Sequence, residues 1–296
     1  MGSRQVNEMK ELTDEIIEFV GAVKTEYERR YHIQILMWAV RKSFLRGLER
    51  RTSDLDIVFV FQNLDSTNKK IIFERAWRRI EMQFWDIQDI LEIISENKRL
   101  AVQGKDFKPY YKNNEFKHYI LDYYNGFYVG WESNLMRDCY DFKQYCGKQI
   151  WNLYEPFVAA KMLYLDLCGQ IARVEMGYWL SLNEYINAIW SGMAGIHLLN
   201  NGSPSDVHIE SLALLYLEKK DAELLIEMTA YFKQTLQKQS NYCNLEELNH
   251  IMKQLQCQLE QKMELYQVKE WNIEKEIMDI QEKLKEVKKK YEDESC

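Results

Sequence analysis

The feature that most restricts the fold of this chain is where its strands can lie. Three short stretches between residues 32 and 84 read as strand, and after about residue 97 the strand signal disappears for the rest of the 296 residues. "HIQILMWAV", 32–40, is a near-continuous apolar run rich in branched and aromatic residues, the mark of a strand buried on both faces. Leu55–Phe61 repeats that pattern, and "RRIEMQF", 78–84, alternates apolar with polar. Three strands this short and this close in sequence predict a small mixed sheet with helices packed on it, an α+β fold.

The remainder reads as helix. Val6, Met9, Leu12, Ile16, Phe19, Val20, Val23 and Tyr27 recur at three- and four-residue steps and predict an amphipathic helix over residues 5–29. "DIQDILEIISEN", 86–97, predicts another, with Asp86 as its cap. From about 114 to 239 the text is helical, broken most clearly at "NNGSPSD", 200–206. The tail, about 245–291, lacks glycine and proline and predicts one long helix, with Lys262 and Lys269 as polar gaps on its apolar seam. That helix either pairs with a second copy as a coiled coil or folds back on its own chain. The expected division is a core over 1–112, a helical domain over 113–240 and the long helix over 241–296.

Composition excludes several classes. With 46% hydrophobic residues and only three prolines the chain is globular rather than disordered. No apolar run reaches the length of a membrane span and the first residues lack a signal-peptide pattern, so a cytoplasmic protein with no membrane partner is expected. Six cysteines with no C-x-x-C pair argue against a zinc site or a disulfide framework. The net charge of −7 argues against a protein coated in nucleic acid, but cations gather locally: Arg41, Lys42, Arg46, Arg50, Arg51, Arg75, Arg78 and Arg79. Such a cluster suits a polyphosphate or nucleic-acid substrate, or is simply a solvated charged face.

Beside that cluster stand Asp54 and Asp56. On a strand, residues two apart share a face, so both carboxylates would project together from the sheet. Like charges held side by side call for a hard divalent cation with oxygen ligands, here Mg2+ or Mn2+. Ser43 and Gly47 lie just upstream, where a strand turns into a helix and backbone N–H groups can approach a phosphate. An S-D-x-D run can also be a plain turn or cap. The spacing to Ser43 and the apolar strand after Asp56 set this one apart.

Ser43-Phe-Leu-Arg-Gly47, a short spacer, then Ser53-Asp54-Leu-Asp56 leading into Ile57–Phe61, resembles the signature of the polymerase-beta-like nucleotidyltransferase superfamily. "FWDIQDILEIISEN" and "LYEPFVAAKML", 153–163, are similar to two segments of its RNA-ligase-associated bacterial and phage branch. The chain departs from the pattern at Lys42, where the motif has glycine, and at Phe44, where this branch has arginine. The resemblance implies a third carboxylate from a later strand, and Glu81, flanked by Ile80 and Met82, stands in that place. It implies that Asp54, Asp56 and Glu81 bind the metals and that Glu81 draws the proton from the attacking hydroxyl. Ser43, Gly47 and Ser53 would hold the nucleotide, with Arg46, Lys42, Lys148 and Lys161 as further phosphate contacts. Trp77, Trp85, Trp131 and Trp151 either stack a base or fill the core.

The expected activity is transfer of a nucleoside monophosphate from a nucleoside triphosphate, such as ATP, to an acceptor hydroxyl with release of pyrophosphate. RNA or tRNA is the favoured acceptor. The alternative is a catalytically degenerate member of the same fold that works as an interaction module through its C-terminal helix.

Overall fold

The structure is a computed structural model that describes residues 3–40, 46, 48, 55–64, 74–76, 80–104, 106–110, 136–138, 155–201, 208–234, 242–243, 245–268 and 272–295. Helix α1, Ser3–Tyr31, ends at His32, whose φ of 50° turns the chain into strand β1, Ile33–Val40. Strands β2, Leu55–Asn63, β3, Glu74–Ala76, β4, Ile80–Asp86, and β5, Met136–Asp138, complete a sheet of order β3-β4-β2-β1-β5. The sheet is mixed: β2 and β4 run parallel, and the other three pairings are antiparallel.

Alternation along the strands builds two cores. Ile33, Ile35, Trp38, Ile57, Phe59, Phe61 and Met82 face one way and are covered by Val20 and Tyr27 of α1. Leu36, Met37, Val58, Val60 and Trp85 face the other way, into the helices. A period of two would not put Ile35 and Trp38 on one face. The register between β1 and β2 shifts between Ile35 and Met37, so one extra residue resets the alternation. Beside the shift, the Glu28 carboxylate of α1 accepts from the Ile35 N–H at 2.9 Å and from Lys24 at 2.6 Å.

Helix α2, Ile87–Gln103, follows β4 directly. Its cap Asp86 accepts from the Gln88 N–H at 2.9 Å and from Asn63 at 2.5 Å. Its apolar stripe packs onto β2 and β4. The helical part contains α3, Pro156–Glu175, α4, Leu182–Asn201, α5, Ile209–Tyr216, α6, Lys219–Gln234, α7, Glu246–Leu265, and α8, Ile273–Ser295. Two-residue strands β6, Leu180–Ser181, and β7, Tyr242–Cys243, pair antiparallel, with β6 packed beside α3 and α4.

Helix α4 opens on a reciprocal cap. The Glu184 carboxylate accepts from the Ser181 N–H at 2.7 Å, and Ser181 Oγ accepts from the Glu184 N–H at 3.3 Å. At the start of α3, the Glu155 carboxylate accepts from the Phe157 N–H at 3.3 Å, and the Tyr266 ring stacks on Phe157 with centroids 5.7 Å apart. Burial and the adjoining Glu155 carboxylate both push the Tyr266 phenol up from its ordinary range.

Two sequence expectations need correction, and one open alternative is decided. Residues 245–291 are two helices, not one, because α7 ends at Leu265 with Tyr266 in extended backbone. The single seam is in fact two stripes: Leu248, Ile251, Met252, Leu255, Leu259 and Met263 are buried by α7, and Ile280, Leu284 and Val287 by α8. Lys262 donates to Asn200 at 2.6 Å, so this gap in the seam is a tie to α4.

Of the two alternatives open for the tail, α8 takes the second and folds back on its own chain. Buried Gln34 of β1 accepts from Gln62 and donates to the Val287 carbonyl at 3.2 Å, while Lys288 donates to the Leu64 carbonyl at 2.6 Å.

The second correction is that strand structure continues beyond residue 97, in β5, β6 and β7. These strands are two or three residues long, too short for a periodic pattern to mark them. The helical readings at 115–135 and 147–154 lie outside the described residues.

Candidate functional site

The parallel pairing of β2 with β4 sets Asp56 directly opposite Glu81. In a parallel ladder, facing residues point to the same side of the sheet with backbones about 4.8 Å apart. That side carries Val58 and Val60 beyond Asp56 and Trp85 beyond Glu81, so both carboxylates lie on the helix-facing surface. Asp56 is only 6% exposed and Glu81 is half-buried. Gln83, two residues on and on the same face, donates to Glu81 Oε1 at 2.5 Å and orients that carboxylate.

Two acidic side chains held together on a largely dry surface fit the oxygen-donor set of a hard divalent cation. Among the described residues no group of three His, Cys, Asp or Glu side chains forms a metal-binding cluster. The third expected ligand, Asp54, lies outside them, as do Ser43, Gly47, Lys42, Ser53 and Lys148.

Arg46 is described, and it reaches the helical part. Its guanidinium lies 3.9 Å over the Trp190 ring of α4, and Nη1 donates to Asn187 Oδ1 at 3.1 Å. Leu48, two residues on, is buried in the same core. Lys161 lies on the second turn of α3, half-buried, with Nζ 5.8 Å from the Tyr164 ring centroid. Trp85 is buried in the core. Trp77, Trp131 and Trp151 lie outside the described residues.

Sequence reasoning missed three residues here: Asn187, Trp190 and Gln83. Asn187 and Trp190 were hidden in an apolar helix, and nothing local links them to Arg46. The Gln83 signal was present, since it shares strand parity with Glu81.

These features define an α+β protein whose small mixed sheet carries a carboxylate pair toward a helical body. No family model matches the chain, and no curated protein matches it significantly. Among solved structures, a nucleotidyltransferase-like protein from Exiguobacterium sibiricum 255-15 is similar over 90% of this chain and 77% of its own, with 14% identity and a TM-score of 0.18. A likeness of that size carries no argument about activity. Among the described residues, no helix is long and apolar enough to cross a membrane.

Proposed function

We propose that this chain is a metal-dependent nucleotidyltransferase, and the observation that carries the reading is the register pairing of Asp56 with Glu81 on parallel strands. The motif Ser43 to Asp56 and the acidic residue of a later strand are far apart in sequence, and the reading requires their carboxylates side by side. Asp54, Asp56 and Glu81 would hold Mg2+ or Mn2+, which when bound neutralises the charge of the phosphates and polarises the transferred phosphoryl group.

Glu81, oriented by Gln83, takes the proton of the acceptor hydroxyl. The acceptor oxygen bonds to the alpha phosphorus, the bond from that phosphorus to the bridging oxygen breaks, and pyrophosphate leaves. Ser43 and Gly47 offer hydroxyl and N–H donors to the triphosphate, Ser53 supports them, and Lys42, Lys148 and Lys161 add positive charge. In this reading residues 1–112 are the catalytic core, 113–240 form the far wall of the cleft and 241–296 brace the two. The acceptor is RNA or tRNA, on the strength of the arginines around Asp54. The apolar stripe of α8 is buried against the chain itself, so it gives no support to an interaction module working through that helix.

The test is incubation with each labelled nucleoside triphosphate and Mg2+, with and without total RNA, beside an Asp54→Ala/Asp56→Ala control. Label transfer or pyrophosphate release that the control abolishes is expected. Silence with every nucleotide, from protein shown to be folded, would refute the reading.

A further inference from the structure

Arg46 lies within the first half of the motif, beside Gly47, and the obvious role for a cation there is to touch phosphate. Its contacts suggest a different role. The guanidinium is stacked at 3.9 Å on Trp190, a side chain 1% exposed in the centre of α4. It also donates to Asn187 Oδ1 at 3.1 Å. The Asn187 amide is itself held, because its Nδ2 donates to the Asn183 carbonyl at 2.8 Å and to Asn183 Oδ1 at 3.0 Å. Those two bonds turn Oδ1 toward the arginine and leave it one favoured orientation.

Helix α4 is in turn a firm anchor. Ala188, Ile189, Trp190, Met193 and Ala194 are all buried in the large core, and α4 packs along both α3 and α7. A planar guanidinium flat on an indole with a directed bond at its edge is a geometry that arginine fills and lysine does not.

We infer that Arg46 is a positioning residue: it latches the nucleotide-binding stretch of the chain to α4 through Trp190 and Asn187, so that the helical body sets where Ser43, Gly47 and the carboxylates stand relative to the triphosphate. The inference rests on the nucleotidyl-transfer reading and deepens it by naming the joint between sheet and helices. It also makes Asn187 and Trp190, which act through Arg46, determinants of turnover. A displacement of about 1 Å at a reacting centre can cost up to about a hundredfold in rate.

The experiment compares the unmodified protein with Arg46→Ala, Arg46→Lys, Asn187→Ala and the Arg46→Ala/Asn187→Ala double variant. Urea midpoints, thermal shifts with Mg-ATP, Mg-GTP, Mg-CTP and Mg-UTP, and kcat and KM for pyrophosphate release are measured for each. A latch predicts that Arg46→Ala and Asn187→Ala lower kcat by a similar factor, about tenfold or more, with KM changed by less than about threefold. The double variant is then no worse than either single one, in kcat and in urea midpoint alike. Arg46→Lys does not rescue.

A rise in KM on Arg46→Ala that lysine restores, with Asn187→Ala behaving like the unmodified protein, overturns the latch and makes Arg46 a phosphate ligand. Additive single effects overturn it too. Should Arg46→Ala fail to fold, Asn187→Ala and Arg46→Lys decide alone, because Asn187 is half-buried at the helix surface and its truncation opens no core cavity. If the unmodified protein shows no thermal shift and no turnover with any nucleotide, the nucleotidyl-transfer reading itself fails and the latch falls with it. An active protein with additive variants loses the latch alone.

Discussion

Gly192 and Gly195 stand one turn apart on α4, both facing α7, and substituting alanine at each should have different effects. A Cβ at Gly192 would lie 2.9 Å from Leu255 Cβ and 3.2 Å from both Leu167 Cδ2 and Leu255 Cδ1. Carbon atoms pack at about 3.5–4.0 Å, so room of about 0.6–1 Å must be found. Leu255 Cβ is tied to its backbone and cannot swing away. The helices must therefore part, and α7 is pressed from behind by the core that fully buries Leu255 and Leu167. Overpacking of this kind costs about 1–3 kcal/mol, against a gain of about 1 kcal/mol from replacing glycine by alanine within a helix.

At Gly195 the nearest atom is Leu259 Cδ2 at 2.8 Å, the far end of a side chain that can change rotamer. There the helix gain offsets most of the cost. Gly192→Ala should be destabilising by about 1 kcal/mol while Gly195→Ala is close to neutral. Urea unfolding of the two variants and the parent, fitted with a common slope, measures the difference. A Gly192→Ala protein as stable as Gly195→Ala, or more so, would refute the argument that the close approach of α4 to α7 is what requires glycine.

Leu284→Ala on α8 should destabilise by about 2–5 kcal/mol, because that side chain is buried against the chain's own core; an unchanged urea midpoint would show that α8 is not docked there. Gln62→Leu removes the donor that buried Gln34 accepts from and should cost about 1–3 kcal/mol, whereas Gln62→Glu should be worse still, by the same unfolding assay. Burial alone would raise the Glu184 carboxyl, but the Ser181 N–H, Arg173 and the Ser181 hydroxyl outweigh it and hold the group below its ordinary value of 4.5. A depressed carboxyl stabilises the fold fully above that value and loses the contribution as pH falls through its folded pKa. Glu184→Gln should therefore flatten the fall in stability below pH 4.5 and leave its shape near neutrality unchanged, which unfolding midpoints across pH will show. Burial also pushes the Cys168 thiol up, and Cys257 is exposed, so Cys257→Ala should remove a fast-labelling thiol while Cys168→Ala leaves the fast phase intact, counted with a chromogenic disulfide.

Strand β2 and the Asp86 cap were both legible from short-range patterns, because each depends on neighbours a few residues away. The parity that puts Asp56 with Val58 and Glu81 with Gln83 was legible for the same reason. What no periodicity contains is the identity of a strand's partner. Glu81 stood in the right place by resemblance, but only the parallel register of β2 with β4, reached through β3 and the return into β4, puts it opposite Asp56.

The extra residue between Ile35 and Met37 was hidden within a continuous apolar run, where every position looks buried and a reset of parity leaves no mark. The tail looked like one helix because the two stripes of α7 and α8 differ in the surface that covers each, and a covering surface is not a property of the segment. Arg46 looked like a phosphate ligand because charge is a local property; Trp190 and Asn187, 144 and 141 positions further on, are what the fold brings to it. By itself the sequence determined which residues alternate, which cap and which carry charge, since those follow from backbone geometry over a few residues. The tertiary structure alone decided which faces meet, since that depends on burying the apolar surface of the whole chain at once.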